Sequence, residues 1–352
     1  MNLNIIMNSI ARVILPCHVL GVEQHLPESV NRQGLKPMRR HSLHRLILVA
    51  MLLVMADLSP CLAQGVMIVQ SSSVDAYQKA VSGFEQAFAR STSLPGISSI
   101  QPTQTIVLDP AGKDAVSVVA KSYQTLLPEV VVAVGNGALE AVKDLNGPIV
   151  YLLVANPEAI AQQRTNITGI KMTPGPLPQL ARLQAALPSA RKIAVLFDPA
   201  TSADFVSLAQ AAAGALDLTL VKAPAKDDRE AILLIGGLAG QIDAIWLLPE
   251  PALISPALLN ALALLSLEKH IPLIAFAPKY LELGAALAIF SSPEQLGMQA
   301  ADLVKRLMSA PAGEAVRPEY GREAAVLANE RIIQKLGLIF KRTSPPEGRE
   351  AP

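Results

Sequence analysis

Cysteine and histidine are nearly absent from the body of this chain. Of 352 residues, two are cysteine, Cys17 and Cys61, and five are histidine; both cysteines and four of the histidines precede Gln64. Beyond that point the supply of residues excludes a disulfide framework, a thiol nucleophile and a His-rich metal site. A Ser/His/Asp triad would depend on His270, in the segment Glu268-Lys269-His270-Ile271-Pro272, a helix end running into a strand. The helix dipole favours histidine at a carboxyl terminus, so that position is explained without catalysis. Charge of one sign is missing too: the net charge is +1, whereas a nucleic-acid partner calls for a basic surface. Aromatic residues are scarce, at 4%, and the Ala, Leu and Val in their place suit a sheet covered by helices. The apolar run Leu46–Met55 is too short to span a bilayer comfortably.

That run reads instead as the core of a secretory signal over residues 38–63. Met38-Arg39-Arg40-His41 through Arg45 is a basic leader, and Cys61-Leu62-Ala63 ends on a small residue before Gln64. Leu58-Ser59-Pro60-Cys61 resembles a bacterial lipoprotein signal, but proline before the cysteine departs from that pattern and lipid anchoring at Cys61 is the lesser expectation. Residues 1–37 have no periodicity and precede a complete signal, which points to translation from Met38. Residues 1–63 are therefore set outside the fold.

The stretch from Val130 to Asn156 organises the remainder. Val130–Val134 is a continuous, mostly β-branched run, as a strand covered on both faces requires. Gly135-Asn136-Gly137 stops it, Ala138, Leu139, Val142 and Leu145 fall at helical spacing, and Asn146-Gly147-Pro148 precedes a second apolar strand, Ile149–Val154. This is a βαβ unit. In open α/β sheets ligands sit outside the carboxyl ends of the strands, the edge that Gly135-Asn136-Gly137 and Asn156-Pro157 occupy.

Around it the pattern predicts strands at 66–70 and 105–108 and helices over 76–88 and 115–127. A proline-rich run, Thr173-Pro174-Gly175-Pro176-Leu177-Pro178, marks a domain boundary. The pattern then restarts, with strands near 193–197, 218–221, 244–248 and 273–277 and helices near 201–215, 228–238 and 256–267. Strands of the second half follow those of the first at a near-constant offset, which predicts two similar α/β lobes. A strand at 286–290, an amphipathic helix at 293–308, a short strand at 325–327 and a helix at 330–336 complete the chain. Thr201 or Ser202 is expected to cap one helix, Asp227–Glu230 to be the first turn of another, solvated one, and Trp246 to be core.

In order, these pieces resemble the ABC transporter substrate-binding protein family whose better-known members bind tryptophan, tyrosine or other small solutes. The pieces are Gly147-Pro148-Ile149-Val150-Tyr151 with Asn156-Pro157, Asn166-Ile167-Thr168-Gly169, Leu187-Pro188 with Lys192-Ile193-Ala194-Val195-Leu196, and Asp243-Ala244-Ile245-Trp246-Leu247-Leu248-Pro249. Ile271-Pro272-Leu273, Gly284-Ala285 with Leu287, and Gln295-Leu296-Gly297 with Gln299-Ala300-Ala301 continue the series. The resemblance implies a type I periplasmic-binding-protein fold, α/β with two Rossmann-like lobes of parallel strands. Three departures fall at positions that line the family's cleft. Asn136-Gly137 stands where members often have Thr-Pro, Asn156-Pro157 where they have Asp-Pro, and Pro249-Glu250-Pro251 where they have Pro-Thr-Asp.

The implied organisation is a first lobe over 64–169 completed by about 286–338, a second over 170–285, and a loose tail at 339–352. The implied function is that of an extracytoplasmic, periplasmic solute-binding protein of an ABC transporter. It would be a monomer without enzymatic activity, cofactor, metal or nucleic-acid partner, closing by a hinge on a small polar or amino-acid-like solute and docking on the permease membrane subunits. The candidate ligand-binding residues, each just past a strand end, are Ser71, Ser72, Asn136, Gly137, Asn156, Thr201 and Glu250. A periplasmic sensing subunit of a signalling system is the alternative use of the same lobes. A dinucleotide-binding enzyme is disfavoured because Gly135-Asn136-Gly137-Ala138-Leu139-Glu140 has Glu140 where the fingerprint needs a third glycine.

Overall fold

The computed structural model describes residues 65–92, 102–109, 114–162, 164–310 and 316–341. The expected signal, both cysteines and most of the expected tail lie outside these. Among the described residues twelve strands form two sheets of six. The first part of the chain alternates β1 (Val66–Gln70), α1 (Asp75–Thr92), β2 (Pro102–Val107), α2 (Ala115–Leu126), β3 (Val130–Val134), α3 (Asn136–Val142), β4 (Ile149–Leu152), α4 (Pro157–Ala161) and β5 (Ile167–Pro174). The second continues with α5 (Pro176–Ala186), β6 (Lys192–Phe197), α6 (Pro199–Ala215), β7 (Thr219–Pro224), α7 (Asp228–Leu238), β8 (Ala244–Leu247), α8 (Pro256–Lys269), β9 (Leu273–Ala275) and β10 (Leu287–Phe290). Then come α9 (Pro293–Ser309), β11 (Glu319–Gly321), β12 (Ala325–Ala328) and α10 (Glu330–Lys335).

The sheet orders are β11-β5-β4-β3-β1-β2 and β12-β10-β9-β8-β6-β7. The pairings are parallel except that β12 runs antiparallel to β10. Each sheet is buried on both faces, which explains the unbroken apolar runs. On β3, Val130, Val132 and Val134 enter one core while Val131 and Ala133 enter another. Ile193, Val195 and Phe197 on β6 face one core of the second sheet, and Ala194 and Leu196 the other.

The strand pairings correct the expected lobe boundaries. β5 belongs wholly to the first sheet, so the first boundary falls at Gly175. The segment assigned wholesale to the first lobe, 286–338, is divided: β10 and β12 pair in the second sheet, and Ile333 and Leu336 enter its core. Only α9 and β11 return to the first. Helix α9 lies against α1, where a side chain on Gly83 or Gly297 would overlap the backbone of the opposite helix. The start of the expected loose tail is also packed, with Phe340 against the second core and Lys341 N–H donating to Ala186 O at 3.0 Å. The proline-rich boundary contains a helix start that periodicity missed: Pro176 occupies the first turn of α5, where its missing N–H has no intrahelical partner to lose.

The chain therefore crosses between sheets three times, at Gly175, at Ser291-Ser292 and at Arg322-Glu323-Ala324. Gly175 N–H donates to Gly321 O at 2.8 Å, Ser291 Oγ to Glu323 O at 3.2 Å, and Arg182 Nε to Ala324 O at 3.0 Å. The crossings leave the carboxyl ends of β5, β10 and β11, so that edge of each sheet borders the junction.

Candidate ligand site

On the first sheet the edge is built around the turn after β3. Gly135 has φ 90°, a conformation that strains any L side chain, and its N–H donates to Leu152 O at 2.8 Å. Ser71, leaving β1, donates its N–H to Val134 O at 2.9 Å, and its Oγ accepts from Ala138 N at 2.7 Å. That hydroxyl satisfies one of the orphan donors opening α3. A side chain on Gly137 would meet the same Ser71 oxygen at 3.4 Å. Ser72 is half-buried, and its carbonyl accepts from the side chain of Gln70.

Asn136 is exposed but not idle. Its Nδ2 donates to Ala155 O at 3.1 Å and its Oδ1 accepts from Ala155 N at 2.9 Å. This two-bond clasp ties the β3 turn to the β4 turn and uses the amide oxygen and one N–H, leaving the other N–H unused among the described residues. Asn136 thus has a structural role, holding Ala155, that the sequence did not signal. Asn156, next along, has φ 52° and is exposed, with no side-chain cap on α4. Asparagine tolerates that left-handed conformation better than most residues.

Glu250 and Thr201 meet on the second sheet. Asp198, not Thr201 or Ser202, caps α6 through its carboxylate, which accepts from Ala200 N at 2.9 Å. The Thr201 hydroxyl, which also lies 3.3 Å from Asp198 O, donates to Glu250 Oε2 at 2.7 Å. Glu250 is 2% exposed, and its Oε1 has no partner among the described residues. A buried carboxylate with one oxygen unpaired is costly. Phe276, just past β9, is partly buried, with its ring 4.8 Å from that of Tyr280. Trp246 is core, 1% exposed, its indole donating to Gln179 Oε1 at 3.1 Å.

Tyr77 escaped the sequence reading, which placed it only within the expected helix over 76–88. A Cβ on Gly135 would lie 2.6 Å from the Tyr77 hydroxyl oxygen and 2.6 Å from Ser71 Oγ. No local pattern signals this approach between a helix residue and a turn far along the chain. Tyr151, on β4, is buried with its hydroxyl unpartnered among the described residues; burial first, then Glu158 and Tyr320, push its phenol far above the usual range. A cavity of about 170 Å³ lined by Ser291, Gln295, Gln299, Asp302, Arg322 and Glu323 lies at the crossings and shares no residue with the strand-end set.

Two lobes of this topology with polar strand ends at their junction match a known family: the profile of ABC transporter substrate binding proteins fits residues 65–343. The chain belongs to that family. Among solved structures, this substrate-binding protein is similar to CD0873 from Clostridium difficile, a substrate binding protein with adhesive properties in its ligand-free, open form. The identity is 18%, the TM-score 0.55, and the match covers 81% of this chain and 96% of that one. An ABC domain from Streptococcus pneumonia in complex with L-Trp is 15% identical over 78% of this chain and 95% of its own, with a TM-score of 0.44. A solute binding protein from R. palustris in complex with 4-hydroxybenzoate is 13% identical over 77% and 84%, with a TM-score of 0.40. No curated protein sequence matches significantly. The fold is that of type I periplasmic binding proteins. No described helix of the substrate-binding protein is long and apolar enough to cross a membrane.

Proposed function

We propose that this protein is the extracytoplasmic receptor of an ABC transporter, exported by the signal at residues 38–63, and that it binds a small polar or amino-acid-like solute between its lobes. Ser71, Ser72, Asn156 and the spare N–H of Asn136, beside Gly137, serve the first lobe; Thr201 and Glu250 serve the second. The observation that carries the reading is the half-paired carboxylate of Glu250: its free oxygen suits an amine or hydroxyl of the solute, and taking that donor relieves the cost of its burial. Solute that bridges both edges favours the closed arrangement by its differential contacts, and the closed monomer docks on the permease. No step of this scheme uses enzymatic chemistry or a cofactor.

Titration calorimetry against the twenty L-amino acids, with myo-inositol as a polyol control, tests the assignment. Binding of at least one is expected. Glu250→Ala should weaken it by about ten- to a hundredfold, the equivalent of about 1–3 kcal/mol. Unchanged affinity in that variant would place the solute elsewhere. Intact mass of the exported protein checks its processing: the expected product begins near Gln64, and an acylated Cys61 would instead make it a membrane-tethered form.

A further inference from the structure

We infer that Tyr77 is a ligand-contacting residue, and that its hydroxyl and that of Ser71 together take one acceptor oxygen of the solute, a carboxylate or carbonyl oxygen. The inference rests on the solute-binding reading above and adds a residue and a chemistry to it. Tyr77 lies in the first turn of α1, its ring partly buried against the core that Val66, Val132 and Val134 share. Packing therefore fixes the ring and directs its polar end at the β3 turn. Both hydroxyl oxygens stand 2.6 Å from the point where Gly135 would carry a Cβ.

Gly135 has no side chain, and at φ 90° most others are excluded, so both hydroxyls close in over its backbone and lie near enough to each other to share one acceptor atom beside the turn. Ser71 Oγ already accepts from Ala138 N, which turns its remaining capacity toward donation. Neither the Ser71 nor the Tyr77 hydroxyl donates to a partner among the described residues. Two donors lying beside one glycine recognise an oxygen that carries negative charge or a strong carbonyl dipole. Serine alone at the end of β1 would supply one such donor; tyrosine makes the pair directional.

The test compares Tyr77→Phe with the wild type, since the ring and its packing are retained. Three probes are used: the L-amino acid that binds best among the twenty, its carboxamide, and the decarboxylated amine. Tyr77→Phe should lose about tenfold in affinity for the acid and the carboxamide and nothing for the amine, which lacks the acceptor oxygen. Its melting temperature should stay at the wild-type value. Equal losses on all three probes would show that the hydroxyl serves only the shape of the site and would overturn the inference. Unchanged affinity for every probe would overturn it as well, while leaving solute binding intact. If the wild type binds none of the amino acids, the amino-acid-like reading fails and this inference falls with it.

Discussion

At the scale of single residues, the site depends on polar groups whose partners are backbone or one another. Asn136 spends both ends of its carboxamide on Ala155, so Asn136→Ala should lower stability by about 1 kcal/mol, read as a shift in the urea midpoint, before any effect on binding. Thr201 is coupled to Glu250 in the opposite sense. Thr201→Val removes the hydroxyl at Oε2 and leaves a buried carboxylate with no side-chain donor among the described residues, which should cost about 1–3 kcal/mol. Adding Glu250→Gln should recover part of that loss, because an amide is cheaper to bury than an unpaired charge. A denaturation cycle over the two single variants and the double variant measures the coupling; strictly additive effects would mean that the contact is energetically silent.

Among the helices, α9 carries the first lobe's dependence on the chain's return. Gly297 faces Ala80, and a methyl group there would overlap the Ala80 carbonyl, which is backbone and cannot swing aside. Gly297→Ala should therefore destabilise by about 1–3 kcal/mol or more through forced separation of α1 and α9. Gly236 in α7 is the control: a Cβ there meets nothing within 4 Å, and Gly236→Ala should stabilise by about 0.5–1 kcal/mol from helix propensity alone. Urea titration of both variants decides between packing and propensity, and similar effects of one sign would refute the close-crossing account.

For the molecule as a whole, the decisive region is where the chain passes between lobes. Glu319 sits on β11 next to the third crossing. Burial by itself would raise its carboxyl, but hydrogen bonds from Arg306 and Gln299 and the charges of Arg306 and Arg322 outweigh it and hold the group below its ordinary value of 4.5. A lowered carboxyl contributes stability above the unfolded value and loses it as pH falls through the folded one. The wild type should thus exceed Glu319→Gln in melting temperature by a constant margin above about pH 5, and the margin should shrink as the pH is taken below 4.5. A margin independent of pH would remove Glu319 from the crossing's electrostatics. Arg322, which also pairs with Asp302 on α9 at 3.3 Å, joins this crossing to the helix that returns to the first lobe.

What the sequence determined by itself was local. Unbroken apolar runs such as Val130–Val134 specify strands buried on both faces, and Gly-Asn-Gly or Asn-Pro after them specifies a polar strand end; the shortage of cysteine and histidine removes whole classes of chemistry. These follow from residue spacing and supply, which need no knowledge of partners. Tertiary structure decided everything that joins distant segments. Whether β10 and β12 belong to one sheet or the other depends on which strand edge is left open when they arrive, and their own residues suit either. Thr201 meets Glu250, Asn136 holds Ala155, and Tyr77 reaches Gly135 because strand order brings β1 beside β3 and β6 beside β8. Periodicity reports that a side chain is covered; only the packed sheet determines what covers it.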